Sequence, residues 1–355
     1  MSDANTNTGE AFVAYLREKL PLIERALHKA NAAPMAEVDA PTRDLDRYLY
    51  EPLAHFTAGG GKRVRPVLAL LGAEAMGGCA EQALSSGVAI ELFQSAALIH
   101  DDIADASELR RGEPCLYRTH GEGLAINAGD LALTRVFEVV LNDASLPGDR
   151  RLRVLDELVR MERHTLEGQA LDLGWARDGR WDVTSSDYLY MIEGKTAWYT
   201  VASPLRIGAL AAGAADEAAR ELVELGRPAG LAFQLQDDLL NLVGDASAQG
   251  KDFRSDITEG KRTLAVVWAL EHLDDEPHRE LVDLLESKTT NPDELARAVE
   301  LIEQGGGIEA CRDLALKLTR DAQGKARALA TSGTITPESA ELLCSMADFF
   351  INRSA

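Results

Sequence analysis

The spacing of apolar residues restricts this chain most strongly, because it follows a helical period along almost all of its 355 residues. Within 11–27, apolar residues recur every three or four positions, at Phe12, Leu16, Leu20, Ile23 and Leu27. Similar patterns continue to the C-terminus, interrupted by Gly and Pro, and strand-like alternation is almost absent. Aromatic residues make up only 5%, which favours helices packed through small side chains over sheets. We predict an all-α protein with a disordered tail over 1–8 and a single domain over 9–355.

One stretch departs from the helical pattern. Residues 244–260 are polar and charged and show no periodicity, which predicts a long loop. Loops of this length inside compact domains are often functional.

The overall charge limits the possible partners. The net charge is −21, and so acidic a surface repels the phosphates of nucleic acids and of anionic lipids. Anionic substrates must therefore be captured by clustered Lys and Arg or through metal ions. The polar N-terminus does not resemble a signal peptide, and no apolar run approaches the roughly 18 residues that span a bilayer. Cysteines without a CxxC pair favour reduced thiols over disulfides or zinc, at Cys79, Cys115, Cys311 and Cys344. We expect a cytoplasmic protein without a membrane segment or a nucleic-acid partner.

The sharpest local motif is Asp101-Asp102-Ile103-Ala104-Asp105, at the end of an apolar helical stretch. On a helix Asp101 and Asp105 share one face, one turn or about 5.4 Å apart. Two carboxylates at this spacing repel each other unless a cation lies between them, and hard oxygen ligands suit Mg²⁺. By itself the motif is also compatible with a solvated acidic helix end.

A second acidic cluster comprises Asp237, Asp238 and Asn241, again within a strongly apolar helical stretch. Burying paired aspartates in an apolar helix costs desolvation energy, which a bound metal would offset. If the two helices face each other, metals held between them would bridge a diphosphate.

Basic residues are grouped near glycines and near the first acidic cluster. The run Gly59-Gly60-Gly61 precedes Lys62 and Arg65, and a glycine run before a helix offers backbone N–H groups to an anion. Arg110 and Arg111 follow the first cluster, and guanidinium groups bind phosphates in a bidentate manner. Charge balance with neighbouring glutamates is an alternative explanation for this pair. Two weaker basic groups contain Lys195 and Lys261.

In this order, the motifs closely resemble those of the trans-prenyl diphosphate synthases, also called polyprenyl synthases. The resemblance extends over roughly 50–350 and rests on GGGKRVRP (59–66), FQSAALIHDDIADASELRRG (93–112), AINAGD (125–130), GQALDL (168–173), GKT (194–196), GLAFQLQDDLLN (230–241) and EGKRTL (259–264). It implies an antiparallel helix bundle around a deep central cavity, with the two acidic clusters opposed at its mouth. It also implies a cytoplasmic homodimer that uses Mg²⁺, with three ions around the bound diphosphate.

The resemblance assigns roles residue by residue. Metal binding falls on Asp101, Asp102, Asp105, Asp237, Asp238 and Asn241. Isopentenyl diphosphate binding falls on Lys62, Arg65, Gln94 and Arg111. Allylic diphosphate binding falls on Arg110, Lys195, Lys251 and Lys261. Catalytic positions fall on Lys195, Thr196 and Gln234, and further polar positions beside the diphosphates fall on Gln169 and Asp172. His100 is interpreted as structural.

The resemblance implies a three-step reaction between isopentenyl diphosphate and an allylic diphosphate. The allylic C–O bond ionises, the carbocation is protected in a dry cavity near Thr196, and the isopentenyl double bond attacks before a proton leaves. One departure is Asn241, where most relatives have Asp. Asn keeps an oxygen donor but loses a charge, so we expect weaker rather than abolished metal binding.

The residues before the first cluster set the product length in this family. Farnesyl-producing relatives usually have an aromatic residue where this chain has Ala96 and Ala97. One turn deeper, bulky Phe93 would block a longer tail, which predicts a C20 product, geranylgeranyl diphosphate. If Phe93 turns into the core instead, products of C25 or longer become possible.

Two other functions share some of these sequence features. A class I terpene cyclase also uses Mg²⁺ in a helical bundle, but the GGGKRVRP motif and the second Asp pair argue against it. A silent subunit of a heteromeric synthase usually lacks one acidic cluster, whereas this chain has both.

Overall fold

The computed structural model describes residues 9–32, 41–244 and 253–352, and nearly all of them are helical. The α-helices are α1 Glu10–Asn31, α2 Thr42–Leu45, α3 Glu51–Ala58, α4 Val64–Ala75, α5 Leu84–Ala104, α6 Leu116–His120, α7 Glu122–Leu141, α8 Gly148–Arg177, α9 Ser185–Ile192, α10 Ser203–Ala212, α11 Asp216–Val243, α12 Ser255–Glu259, α13 Leu264–His272, α14 Asp275–Glu286, α15 Pro292–Gln304, α16 Gly307–Thr331 and α17 Pro337–Asn352. The predicted all-α class is confirmed. The expected tail at 1–8 lies outside the described residues.

Three further helical segments and one hairpin complete the described part of the chain. Two segments, Asp46–Tyr50 and Glu193–Ala202, are π-helical, and Ala80–Ala83 is a 3₁₀ turn. A two-residue antiparallel hairpin pairs β1 Leu109–Arg110 with β2 Glu113–Pro114. We call Glu193–Ala202 the π segment; it joins α9 to α10 without a break in the helix.

Helix α5 crosses the interior of the bundle. Its apolar side chains are buried on several faces, which explains why its sequence has little amphipathic pattern. The stretch Ala80–Ala104 is long and apolar enough to span a bilayer, but 67% of its apolar window is buried inside the protein. This burial is typical of a core helix.

Glycines allow neighbouring helices to approach closely. A Cβ on Gly208 of α10 would lie 1.9 Å from the carbonyl oxygen of Ala69 on α4, so no larger residue fits there. The facing Gly72 has the same restriction against Leu205. This close contact agrees with the packing through small side chains that the composition predicted.

The predicted loop over 244–260 is wrong in its last part, because α12 occupies Ser255–Glu259. Arg254 begins this helix in a left-handed conformation, with φ 60°. Asn241 on α11 binds both Ser255 and the backbone of Asp256, which fixes the helix against the bundle. Tertiary hydrogen bonds therefore supply order that a five-residue polar helix does not have by itself.

Candidate active site

The first acidic cluster lies at the C-terminal end of α5. The helical turn is intact through Asp105, whose N–H donates to the carbonyl oxygen of Asp101 at 2.8 Å. The side-chain amide of Gln169 on α8 donates to Asp101 Oδ1 at 2.5 Å. Although Asp105 is exposed at the mouth of the bundle, loss of surrounding water and the neighbouring Asp101 raise its pKa to about 6. The two carboxylates thus share one face of the helix and repel each other.

Asp102 has a different environment from its neighbours. Its side chain is buried and accepts hydrogen bonds from the guanidinium group of Arg110, one of them from Nε at 2.8 Å. The hairpin β1–β2 holds Arg110 in this position. Asp102 Oδ2 is buried and has no hydrogen-bond partner among the described residues.

The second cluster lies on α11. Asp238 is buried and accepts hydrogen bonds from the hydroxyl group of Tyr188 and from Gln234 Nε2, the latter at 2.7 Å. Burial, followed by repulsion from Asp256, raises the pKa of Asp238. The adjacent Asp237 is exposed and borders the same cavity.

Asp256 on α12 was missed in the sequence. Its Oδ1 accepts a hydrogen bond from Lys261 Nζ at 3.0 Å, and Lys261 also contacts Glu259 at 2.8 Å. Burial opposes the charge of Lys261, but these two carboxylates outweigh it and raise its pKa. The acidic residues of 244–260, close to Lys261 in the sequence, were the available signal. Interpreting this stretch as a loop concealed the role of Asp256.

The π segment carries Lys195 and Thr196 into the site. Lys195 Nζ donates to Asp172 Oδ2 on α8 at 2.5 Å. A Cβ on Gly168 of α8 would lie 2.2 Å from the backbone nitrogen of Lys195, so only glycine permits this approach. On the other side Gly230 of α11 similarly packs against Ala197. Two glycines therefore fix the position of the segment between α8 and α11.

A cavity of about 300 Å³, here called the acidic cavity, collects many of these side chains. Its walls include eight residues predicted to bind metal or the allylic diphosphate or to act in catalysis: Arg110, Lys195, Thr196, Gln234, Asp237, Asp238, Asn241 and Lys261. Asp172, Tyr188 and Asp256 also line it. The charges of Lys195 and Lys261 reach Asp105 of the first cluster, and both lysines line the cavity that contains Asp237 and Asp238 of the second.

A second cavity of about 170 Å³, here called the basic cavity, is separate from the first. It is lined by all four residues predicted to bind isopentenyl diphosphate, Lys62, Arg65, Gln94 and Arg111. Arg65 donates to the Tyr199 hydroxyl group at 2.8 Å. Burial, and then the nearby Arg63 and Arg110, lower the pKa of Arg111, although Glu91 opposes this. Such an excess of positive charge favours an anion.

Arg63 has a structural role in the glycine-rich loop. Its guanidinium group is buried and contacts Glu24 at 2.8 Å, Glu91 at 2.6 Å and the carbonyl oxygen of Thr57. The backbone at Arg63 is left-handed, with φ 48°. This anchoring leaves its neighbours Lys62 and Arg65 to line the basic cavity.

The remaining predicted residues lie elsewhere. Phe93 is buried and packs edge-to-face on Tyr199, with ring centroids 5.9 Å apart. Ala96 is fully buried in the cluster between α5 and α7, whereas Ala97 is partly exposed. His100 packs on Gly129 of α7. Lys251 lies outside the described residues.

The acidic side chains fit Mg²⁺ better than a metal with a complete protein cage. No three His, Cys, Asp or Glu side chains converge into a ready-made cage within 9–32, 41–244 and 253–352. Mg²⁺ usually takes one or two carboxylates and keeps its other positions for water and substrate phosphates. Asp101 and Asp105 at the end of α5, together with Asp237 on the wall of the acidic cavity, offer that kind of donor set.

An all-α bundle with two acidic clusters at its mouth defines the isoprenoid synthase class of fold. The sequence profile of the polyprenyl synthetase family matches residues 46–302. The short chain isoprenyl diphosphate synthase of Methanothermobacter thermautotrophicus is 39% identical over 301 residues, which cover 84% of this chain and 88% of that protein. The geranylfarnesyl diphosphate synthase of Natronomonas pharaonis is 36% identical, with coverage of 86% and 90%.

Solved structures agree with this assignment. Geranylgeranyl pyrophosphate synthetase from Pyrococcus horikoshii superposes with a TM-score of 0.85 and 32% identity, covering 97% of this chain and 99% of that one. The chain therefore belongs to the polyprenyl synthetase family, whose members are Mg²⁺-dependent prenyltransferases.

Proposed function

We propose that this enzyme condenses isopentenyl diphosphate with an allylic diphosphate to give geranylgeranyl diphosphate, a C20 product. The observation that carries the proposal is the pair of separate cavities, both lined by cations. The acidic cavity also has carboxylates on its wall, whereas the basic cavity is lined by cations and Gln94 beside the buried Glu91. In a reaction between two diphosphate substrates, only one loses its diphosphate as a leaving group, and the two sites must differ accordingly.

The allylic diphosphate would occupy the acidic cavity, held by Arg110, Lys195 and Lys261. Bound at Asp101, Asp105 and Asp237, three Mg²⁺ ions would neutralise the diphosphate and make it a better leaving group. Lys195 and Lys261 are already ion-paired with carboxylates, so both cations are oriented before a substrate arrives. Preorganised charge of this kind stabilises a developing anion without a further reorganisation cost.

The isopentenyl diphosphate would occupy the basic cavity, where Lys62, Arg65 and Arg111 balance its charge. Among the described residues that line this cavity the one carboxylate is Glu91, which pairs with Arg63, so no metal-binding pair would activate this diphosphate and its C–O bond would stay intact. Arg65 is stacked on the Tyr199 ring, with its guanidinium carbon 4.3 Å from the ring centre. This contact fixes the direction in which the anion is presented.

The carbocation would form beside the π segment. Thr196 and Gln234 border the acidic cavity near the reacting end of the allylic substrate. Their oxygens supply partial negative charge to the cation while the bundle excludes water. The proton released after attack passes to the departed diphosphate, the strongest nearby acceptor.

The proposed product length depends on the helix below the first cluster. Ala97 is small and only partly buried, which would leave room for a tail, whereas Phe93 and Tyr199 form a paired aromatic contact one turn deeper that would act as a barrier. Because one turn is about 5.4 Å, close to one isoprene unit, the barrier favours C20 over C15. Phe93 also belongs to the main core, which keeps C25 or longer products as the alternative.

Product analysis tests this function directly. Purified enzyme is incubated with Mg²⁺, labelled isopentenyl diphosphate and farnesyl diphosphate, and the dephosphorylated products are separated by chromatography. We expect a C20 alcohol from the wild type and longer alcohols from Phe93→Ala. Ile90→Ala, on the same buried helix, serves as the control for loosened packing and should keep C20. A C20 product from both variants would remove Phe93 as the barrier, and no incorporation by the wild type would refute the activity.

We also propose a cytoplasmic homodimer. Four large apolar side chains recur every seven residues on the surface of α8, and all are exposed: Leu152, Val159, Leu166 and Leu173. Ile126 and Leu141 on α7 are exposed as well. A second copy would cover such a stripe by an isologous contact. The four cysteines are free thiols, in keeping with a reducing compartment. Analytical ultracentrifugation of Leu166→Glu, compared with the wild type, tests the dimer.

A further inference from the structure

A half-buried carboxyl group on α8 plays no part in the proposed mechanism. Glu162 on α8 has a buried Oε1 atom that forms no hydrogen bond with any described residue. The arginines next to it in sequence point elsewhere, because Arg160 contacts Glu157 and Arg163 contacts Glu167. The hydroxyl group of Thr165, one turn away, donates to its own helix at Met161. Burial of this oxygen atom therefore costs free energy that no hydrogen bond to a described residue offsets.

The contacts of α8 give the depth of Glu162. It lies seven residues before Gln169, and therefore on the same face of the helix, about 10.5 Å deeper than the contact between Gln169 and Asp101. Gly168 meets the π segment at Lys195, and Glu157 meets Ser203 at 3.0 Å. Midway between these two contacts the π segment carries Tyr199, the ring that packs on Phe93. Glu162 is thus level with the Phe93–Tyr199 barrier.

At that depth the side chain would meet a hydrocarbon tail that grows past the barrier. A tail that passes the barrier must cover an oxygen atom that no protein group satisfies, and covering it removes whatever water it retains. Burial alone raises the pKa of Glu162 to about 7, which agrees with an environment poor in water and in countercharge. A leucine of similar size would present no such penalty.

We propose that Glu162 is a specificity-determining residue that ends chain elongation, because its unsatisfied carboxyl group resists contact with a tail longer than the normal product. This inference rests on the proposed function, in which the tail descends along α5 toward Phe93. Chain growth would then be limited in two ways, by the polar group of Glu162 on α8 and by the bulk of Phe93 on α5.

The test compares Glu162→Leu with Glu162→Gln, and with Glu167→Leu as the matched control on the solvent face of α8. Each purified enzyme receives the wild type's own end product as the allylic starter, with labelled isopentenyl diphosphate and Mg²⁺. We expect Glu162→Leu to extend this starter roughly tenfold faster than the wild type, the usual effect of removing an unsatisfied buried polar group. Glu162→Gln keeps the polarity and should stay within about twofold of the wild type, as should Glu167→Leu.

Two results would overturn the inference: no faster extension by Glu162→Leu, or an equal gain with Glu162→Gln. In every variant the rate with farnesyl diphosphate serves as the check that the fold and both diphosphate sites are intact. The result is independent of the proposed product, because the starter is whatever the wild type makes. If Phe93→Ala lengthens the product and Glu162→Leu does not, only the role of Glu162 fails.

Discussion

The two acidic clusters have similar sequences, but the protein stabilises them in different ways. In the first, the buried Asp102 pairs with a full positive charge on Arg110. In the second, the buried Asp238 has two neutral donors, Tyr188 and Gln234, and the nearby carboxylate of Asp256 raises its pKa further. One buried aspartate is thus balanced by an ion pair and the other by uncharged hydrogen bonds.

The difference indicates a division of labour within each motif. The more accessible members, Asp101 and Asp105 in one cluster and Asp237 in the other, face the mouth or the acidic cavity and are the proposed metal ligands. The buried members hold the surrounding structure, the hairpin β1–β2 through Asp102 and α9 through Asp238. Asn241 belongs to this structural group, since it fixes α12.

The largest expected effect is on catalysis, from Asp101 in the first cluster. Asp101→Asn keeps the size of the side chain but removes one charge from a metal ligand, so we expect kcat to fall about 10³-fold. The melting temperature should change little because Asp101 is only partly buried. Steady-state kinetics at saturating Mg²⁺, together with thermal denaturation, measure both quantities.

The control is Glu108→Gln, an exposed carboxylate just after the same cluster. It removes the same charge a short distance away and should leave kcat within about twofold, since exposed charges are well screened. Equal losses in both variants would mean that general electrostatics, rather than ligation by Asp101, explains the effect.

Much of this site was predictable because helical spacing converts sequence into geometry. Asp101 and Asp105 share a face through their four-residue separation, and the resemblance grouped Lys62, Arg65, Gln94 and Arg111, which line one cavity. Apolar periodicity and the scarcity of aromatic residues likewise indicated the all-α class, which the comparisons confirm.

What escaped prediction depends on tertiary contacts. Asp256 is on a helix that hydrogen bonds from Asn241 hold in place, and local sequence gives no sign of them. The same contact gives Asn241 a role that the family pattern did not suggest. Glu162 was overlooked for a similar reason, because helical periodicity does not reveal which polar group on a face lacks a partner.

A smaller effect should follow from changing Asn241, one of the structural members of the second cluster. Asn241→Asp loses the hydrogen bond donated to Ser255 and places another negative charge near Asp238 and Asp256. Without Mg²⁺ we expect the melting temperature to fall by about 3 °C, which corresponds to roughly 1 kcal/mol, and Mg²⁺ should stabilise this variant more than the wild type. Asn142→Asp, which adds the same charge at an exposed position, is the control. An unchanged melting temperature would contradict the structural role of Asn241.

The last effect depends on pH and concerns Glu162, a carboxyl group with neither kind of stabilisation found in the clusters. Its pKa rises from an ordinary value of 4.5 to about 7 in the folded protein, through burial. An acid with a raised folded-state pKa binds its proton more tightly when folded, so stability is lost as pH rises from about 4.5 to about 7. Glu162→Gln cannot titrate; it should match the wild type near pH 4.5 and exceed its free energy of unfolding by up to roughly 2 kcal/mol above pH 7. Urea denaturation across this range, at one protein concentration, measures the difference between the two proteins. A difference that does not vary with pH would mean that the carboxyl group is solvated, and the contrast with Asp102 and Asp238 would then not extend to Glu162.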